Sequence, residues 1–163
     1  MMRKLIAAAL GTACFIAAGA ASAAPMTFFG EDLGLGEDTR LSSTPNSDTA
    51  QANFLSNLGN FGGVGTETFE NLAVGTGLPL TLSFPGTGTA TLTDRFSYAD
   101  AAVAEVPSGT NGVGRYPISG TKYLESSSDL QVTFSSPISA FGFYGVDISG
   151  IPSFAILRMK STT

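Results

Sequence analysis

The hydrophobic pattern of the chain changes character twice. Residues 5–20 are apolar apart from Gly11, Thr12 and Gly19. Residues 45–58 then place Ala50, Phe54, Leu55 and Leu58 at helical spacing, which predicts one short amphipathic helix. Thr44 before Pro45, or Asn46 or Ser47 just after it, supplies a polar side chain for the amides of the first turn. Gly59 is placed to end the helix in the left-handed conformation.

From Gly62 onward short apolar alternations lie between Gly, Ser, Thr and Pro, the signature of β-strands and turns. Seven strands are predicted, within 66–73, 78–84, 88–94, 115–126, 129–136, 138–148 and 154–159. Leu78, Leu80, Leu82 and Phe84 share one face of the second, and Leu130, Val132 and Phe134 share one face of the fifth. Residues 100–114 read as a loop by their Pro, Ser, Gly and Asn content. In "FSSPISAFGFYGVDISG" a turn at Ser135-Ser136-Pro137 leads into a strand that puts Phe141 and Phe143 in the core. Ala140, Gly142 and Tyr144 take the other face, so the rings do not form one continuous platform. The predicted fold is mostly β: an antiparallel β-sandwich or jelly-roll-like domain, with one short helix near its start.

The first apolar run changes what the chain is expected to be. A basic start at Arg3 and Lys4, an apolar stretch shorter than the ~20 residues of a membrane span, and Ala21-Ser22-Ala23 make residues 1–23 a signal peptide cleaved after Ala23. A lipoprotein reading at Cys14 fits poorly, because Gly11-Thr12-Ala13 precedes it and the apolar run continues past it. The mature domain is then residues 24–163, with no expected membrane span, and it ends directly after a strand-like run, as a C-terminally truncated chain would. Secretion places it in the periplasm, at the cell surface or outside the cell.

Composition removes whole classes of chemistry. The mature segment contains no Cys, His or Trp, so thiol nucleophiles, disulfides, His/Cys zinc sites and Ser-His catalysis are excluded. Loss of Arg3 and Lys4 leaves six basic residues against thirteen acidic ones, a net charge of −7. Nucleic acid is not an expected partner, since Arg158 and Lys160 alone are a small cluster for phosphate binding.

Five phrases occurring in order, "FGEDLG", "STPNSDTAQANFLSNL", "GTETFENLAVGT", "GRYPISGTKY" and "FSSPISAFGFYGVDI", carry a family resemblance. Together they resemble a group of bacterial secreted proteins of the PEP-CTERM class, which exosortases sort. The resemblance covers nearly the whole mature segment. It implies a Gram-negative exporter, a surface or extracellular location, a link to exopolysaccharide and biofilm matrix, and no established enzymatic activity. The Val-Pro-Glu-Pro-like motif, membrane helix and basic cluster that end such proteins are not in this sequence, so exosortase is a partner only if a sorting tail follows Thr163.

Three candidate chemistries remain. Glu31, Asp32, Glu37 and Asp38 lie on a glycine-rich segment with an echoed Gly-Glu-Asp, a composition suited to calcium, although the spacing is not that of an EF-hand. The plain alternative is a solvated acidic loop. Tyr116, Tyr123 and Tyr144 with Asp147 are the candidate carbohydrate contacts, with Arg115 and Asp129 as hydrogen-bonding partners. Glu67 and Glu70 beside Phe69, or Asp147, offer carboxylates for glycoside hydrolysis, but no spacing selects a pair. The glycine runs "GNFGGVG" and "GTNGVG" lack the Lys-Ser or Lys-Thr of a phosphate loop and read as turns. The expected function is a structural or adhesive protein of the envelope or exopolysaccharide matrix, without catalysis. A lectin-like module is the alternative, and a glycoside hydrolase the distant one.

Overall fold

A computed structural model describes residues 25–34, 36–59, 62–94, 101–127 and 129–147, and the backbone of 158–161. The expected signal peptide and the larger part of the seventh expected strand lie outside the described residues. The elements are α1 (Pro45–Ser56), β1 (Leu80–Phe84), β2 (Gly88–Asp94), β3 (Ala101–Glu105), β4 (Lys122–Ser126), β5 (Leu130–Phe134) and β6 (Arg158–Ser161). They form one four-stranded sheet in the order β1-β2-β5-β6 and one two-stranded sheet, β3-β4. All pairs are antiparallel except β5–β6. The protein is thus mostly β with one short helix, as its sequence pattern predicts.

The β1–β2 hairpin follows from local chemistry. Pro85 presets the first turn position, Gly86 takes φ +79°, and the Thr87 amide donates to the Phe84 carbonyl at 3.0 Å. Strict alternation then aligns two apolar rows across three strands: Leu80, Leu92 and Val132, and Leu82, Ala90 and Phe134. All six are buried, and Val103 of β3, only 1% exposed, closes over them together with half-buried Leu124 of β4. The two sheets therefore share a single core. Residues 75–77 lie alongside β3: the Val103 amide donates to Thr76 and its carbonyl accepts from Gly75, at 2.9 and 2.8 Å.

Several expected elements are corrected. Residues 66–73 turn instead of extending, because Phe69 sits at φ +64°. The Glu67 carboxylate accepts there from the Phe69 amide at 2.7 Å and from the Ser83 amide at 3.2 Å, where a strand would use backbone carbonyls. Residues 101–105, expected in a loop, are strand β3: Ala101 and Val103 bury on one side, and small alanines let that side lie close to the core. Within 115–126 only β4 pairs, since Gly120 at φ +65° turns the chain immediately before it. Residues 138–147 form no ladder, and Asp147 adopts φ +57°. Phe141 is half-buried against Phe134 with ring centroids 5.4 Å apart, but Phe143 is 65% exposed and is not a core residue.

Helix α1 also differs in its ends and its face. No residue within it is buried, and Leu58, which is, follows its last turn. Phe54 is its one aromatic anchor, edge-on to Phe28 at 6.2 Å and close to Gly142. Thr44 occupies the N-cap position but makes no capping bond. The cap comes instead from Asp32, whose carboxylate accepts from the Asn46 and Ser47 amides at 3.1 and 2.9 Å. Gly30 runs so close to the Asn46 carbonyl that a β-carbon there has no space. Gly59 does not take the left-handed conformation; the helix ends through Asn57 and Leu58 amides that reach back three residues. Asp32→Ala is expected to lower the melting temperature by about 3 °C and to fray the first helical turn in hydrogen exchange. An unchanged first turn would show that the tethered cap is dispensable.

Candidate functional site

The segment preceding α1 and the segment preceding β4 meet at an open cleft of about 400 Å³. Arg40, Ser42, Ser43, Thr44, Asp48 and Tyr116 line it. Arg40 lies over the Tyr116 ring, 5.1 Å from its centroid, and its guanidinium donates to the Pro117 carbonyl. The Tyr116 hydroxyl accepts from the Leu41 amide at 3.3 Å. At the helix end, the Asp48 carboxylate accepts from Thr44 Oγ1 at 3.1 Å and from the Tyr144 hydroxyl at 3.2 Å. Burial and then the bond to Asp48 raise the Tyr144 pKa, so that phenol stays a donor. One cation, one anion and a row of hydroxyls thus face a shallow space, a set able to hydrogen-bond a polyol.

The expected carbohydrate residues divide between two places. Tyr116 and Tyr144 converge on this cleft through Arg40 and Asp48. Tyr116, 7% exposed with Arg40 across its ring, is a wall and not a stacking platform. Tyr123 and Asp147 belong to a second group centred on Arg115. The Arg115 guanidinium bonds Glu125 at 2.7 Å and Asp147 at 3.1 Å, and both partners hold its pKa above the usual value. Asn111 donates to the same Glu125 oxygen at 3.2 Å. The Tyr123 hydroxyl is enclosed beside this group without a hydrogen bond among the described residues, and burial followed by the Glu125 charge raises its pKa. This cluster ties residues 111–115 and 147 to β4, and Asp147 is used there as a structural anchor.

The acidic residues near the amino terminus are placed separately. Asp32 caps α1, and the Asn46 and Ser47 amides, outweighing its burial, hold its carboxyl below the usual range. The Glu31 carbonyl accepts from Asn46 Nδ2, and the Glu37 carbonyl accepts from the Gly114 amide and the Thr110 hydroxyl. Among the described residues no three carboxylates are grouped to hold a metal ion.

Glu67 and Glu70, considered above for hydrolysis, both serve the backbone. Glu70 accepts from the Thr121 and Lys122 amides, each at 2.8 Å, and Lys122 Nζ returns bonds to the Glu70 and Leu72 carbonyls. Arg40, Glu125 and the anchoring roles of Asp32, Glu67 and Glu70 were not foreseen from sequence. Their partners lie 10 to 77 residues away, except for the Phe69 amide, and no local motif marks such pairings. No protein-family model matches the chain, and neither a curated protein nor a solved structure is significantly similar to it.

Proposed function

We propose that this chain is a secreted structural or adhesive protein of the bacterial envelope or exopolysaccharide matrix, of the PEP-CTERM class, acting without catalysis. Its two sheets are then the layers of a small β-sandwich. The observation that carries the reading is the use made of its carboxylates. Asp32, Glu67, Glu70, Glu125 and Asp147 each hold a backbone amide or Arg115. Asp32 and Glu70 are held below the usual carboxyl range, the direction opposite to that of a general acid. Such groups stiffen loops around a core.

The test is sedimentation of the purified mature chain with the polysaccharide of the producing bacterium, with reducing ends assayed in parallel. Co-sedimentation without new reducing ends is expected. Release of reducing ends would overturn the non-catalytic reading, and absence of co-sedimentation the adhesive one. The cleft between Arg40 and Asp48 favours a lectin-like module as the second reading. Its mark would be glycan-array binding that disappears in Tyr116→Ala or Tyr144→Ala, while Tyr123→Ala, outside the cleft, retains it.

A further inference from the structure

Strand β1 has one neighbour in its sheet, β2, and its other edge faces outward. The pairing fixes which backbone groups lie on that edge. The Thr89 carbonyl accepts from the Ser135 amide at 2.9 Å, so the alternate residues of β2, Ala90 and Leu92, turn their backbone groups toward Leu82 and Leu80 of β1. Thr81 and Ser83 therefore direct their amides and carbonyls away from the sheet, and the Ser83 amide is the one that donates to Glu67 at 3.2 Å.

The strand itself, Leu-Thr-Leu-Ser-Phe, has none of the usual protections of an edge: no charge, no proline and no bulge. Its protection is external. Residues 63–67 run beside its second half, with Gly63 against Gly86, Gly65 against Phe84 and Glu67 at Ser83. A β-carbon at Gly63 would stand 2.8 Å from the Gly86 carbonyl oxygen, and one at Gly65 2.7 Å from the Phe84 carbonyl carbon, so this close path requires glycine. The segment forms no ladder with β1. Among the described residues its single hydrogen bond to the strand is the one that Glu67 accepts from Ser83. Val64, its one apolar side chain, is 51% exposed, so little burial adds to that bond. The glycine run that reads as a turn in the sequence is thus a strap, closed on the edge by one carboxylate.

We propose that the outer edge of β1 is a latent self-association site, kept closed by the 63–67 strap, to which a second copy of this chain pairs antiparallel, β1 to β1, when the strap is released. The strand is self-complementary. With Thr81 of one copy opposite Ser83 of the other, both pairs exchange amide-to-carbonyl bonds and Leu82 meets Leu82 at the two-fold axis. Period two keeps the faces matched across the junction. The joined sheet continues the buried row of Leu82, Ala90 and Phe134 on one side and the row of Thr81, Thr91 and Thr133 on the other. The chain has thirteen acidic residues against eight basic, but β1 brings none of them to the junction. An uncharged strand with the same alternation is the partner that fits, and a second copy supplies it. The inference is independent of the adhesive reading, because it concerns the protein alone.

The experiment is light scattering of the purified protein on a sizing column at about 100 μM, where association of micromolar strength is visible. Wild type is expected at the monomer mass. Glu67→Ala removes the tie, and Gly65→Ala forces the strap off the strand with Glu67 intact. Each is expected to double the mass, with circular dichroism reporting that the β-fold is kept. Adding Thr81→Pro, which deletes an outward amide and leaves the bonds to β2 in place, is expected to return either variant to monomer. Asp32→Ala, which loosens the helix cap instead, is the control for lost stability and is expected to stay monomeric. Gly65→Ala decides the matter should Glu67→Ala fail to fold. A folded variant of either kind that remains monomeric overturns the proposal, as does association that persists with Thr81→Pro or that Asp32→Ala shows equally. A wild-type dimer likewise overturns it, because the strap would then not close the edge.

Discussion

Phe134→Ala is expected to destabilise the protein by roughly 3–5 kcal/mol, a large part of the ~5–15 kcal/mol of a typical domain. Phe134 is 6% exposed, ends the row it forms with Leu82 and Ala90, and touches both Phe84 and Phe141. Its removal leaves a cavity where the sheet meets residues 138–147, so the loss combines burial with broken ring contacts. Phe143→Ala provides the contrast, because that ring is 65% exposed and among the described residues stacks on Phe141 alone, at 6.2 Å. A change within about 0.5 kcal/mol is expected there. Urea unfolding of the two variants checks both values, and equal losses would return Phe143 to the core.

Acidification supplies the second large effect, through Glu70. The Lys122 and Thr121 amides, outweighing burial and aided by the Lys122 charge, hold its carboxyl below the ordinary value of 4.5. A carboxyl with a lowered folded-state pKa contributes stability that is complete above its unfolded value and is lost as pH falls through the folded one. Wild-type stability is therefore expected to fall below pH 4.5, with Asp32 adding to the same decline below 3.8. Glu70→Gln keeps one acceptor and loses the charge. It is expected to lower the melting temperature at neutral pH by about 5 °C and to flatten the acid limb. Parallel acid limbs in wild type and variant would show that Glu70 does not hold the turn into β4.

The same contrast between local and distant partners separates what was readable along the chain from what was not. The strands β1, β2 and β5 and the period-two faces of β1 and β5 were legible, because each depends on residues within a few positions of one another. Strand β3 was hidden, since "AAVAE" has little apolar bulk and earns its place by fitting against Thr76 and Leu124. Residues 138–147 read as a strand from their alternation, yet alternation does not supply a neighbouring edge to pair with. The helix was legible and its cap was not: a threonine at the N-cap position is a local signal, whereas Asp32 is brought there by folding.

For the candidate sites, the residue types were visible and their grouping was not. Tyr116, Tyr123, Tyr144 and Asp147 were all nameable from sequence, but whether a tyrosine walls a cleft or packs beside an ion pair depends on partners across the chain. By itself the sequence determined the β-rich class, the strands of the central hairpin and the chemistry excluded by the absence of Cys, His and Trp from residues 24–163, because composition and short-range period suffice for these. Only the tertiary structure decided which carboxylates became anchors, which aromatic residues stayed outside, and that the threonines of three strands line up on one face. Those outcomes depend on register and long-range contact, which no local pattern specifies.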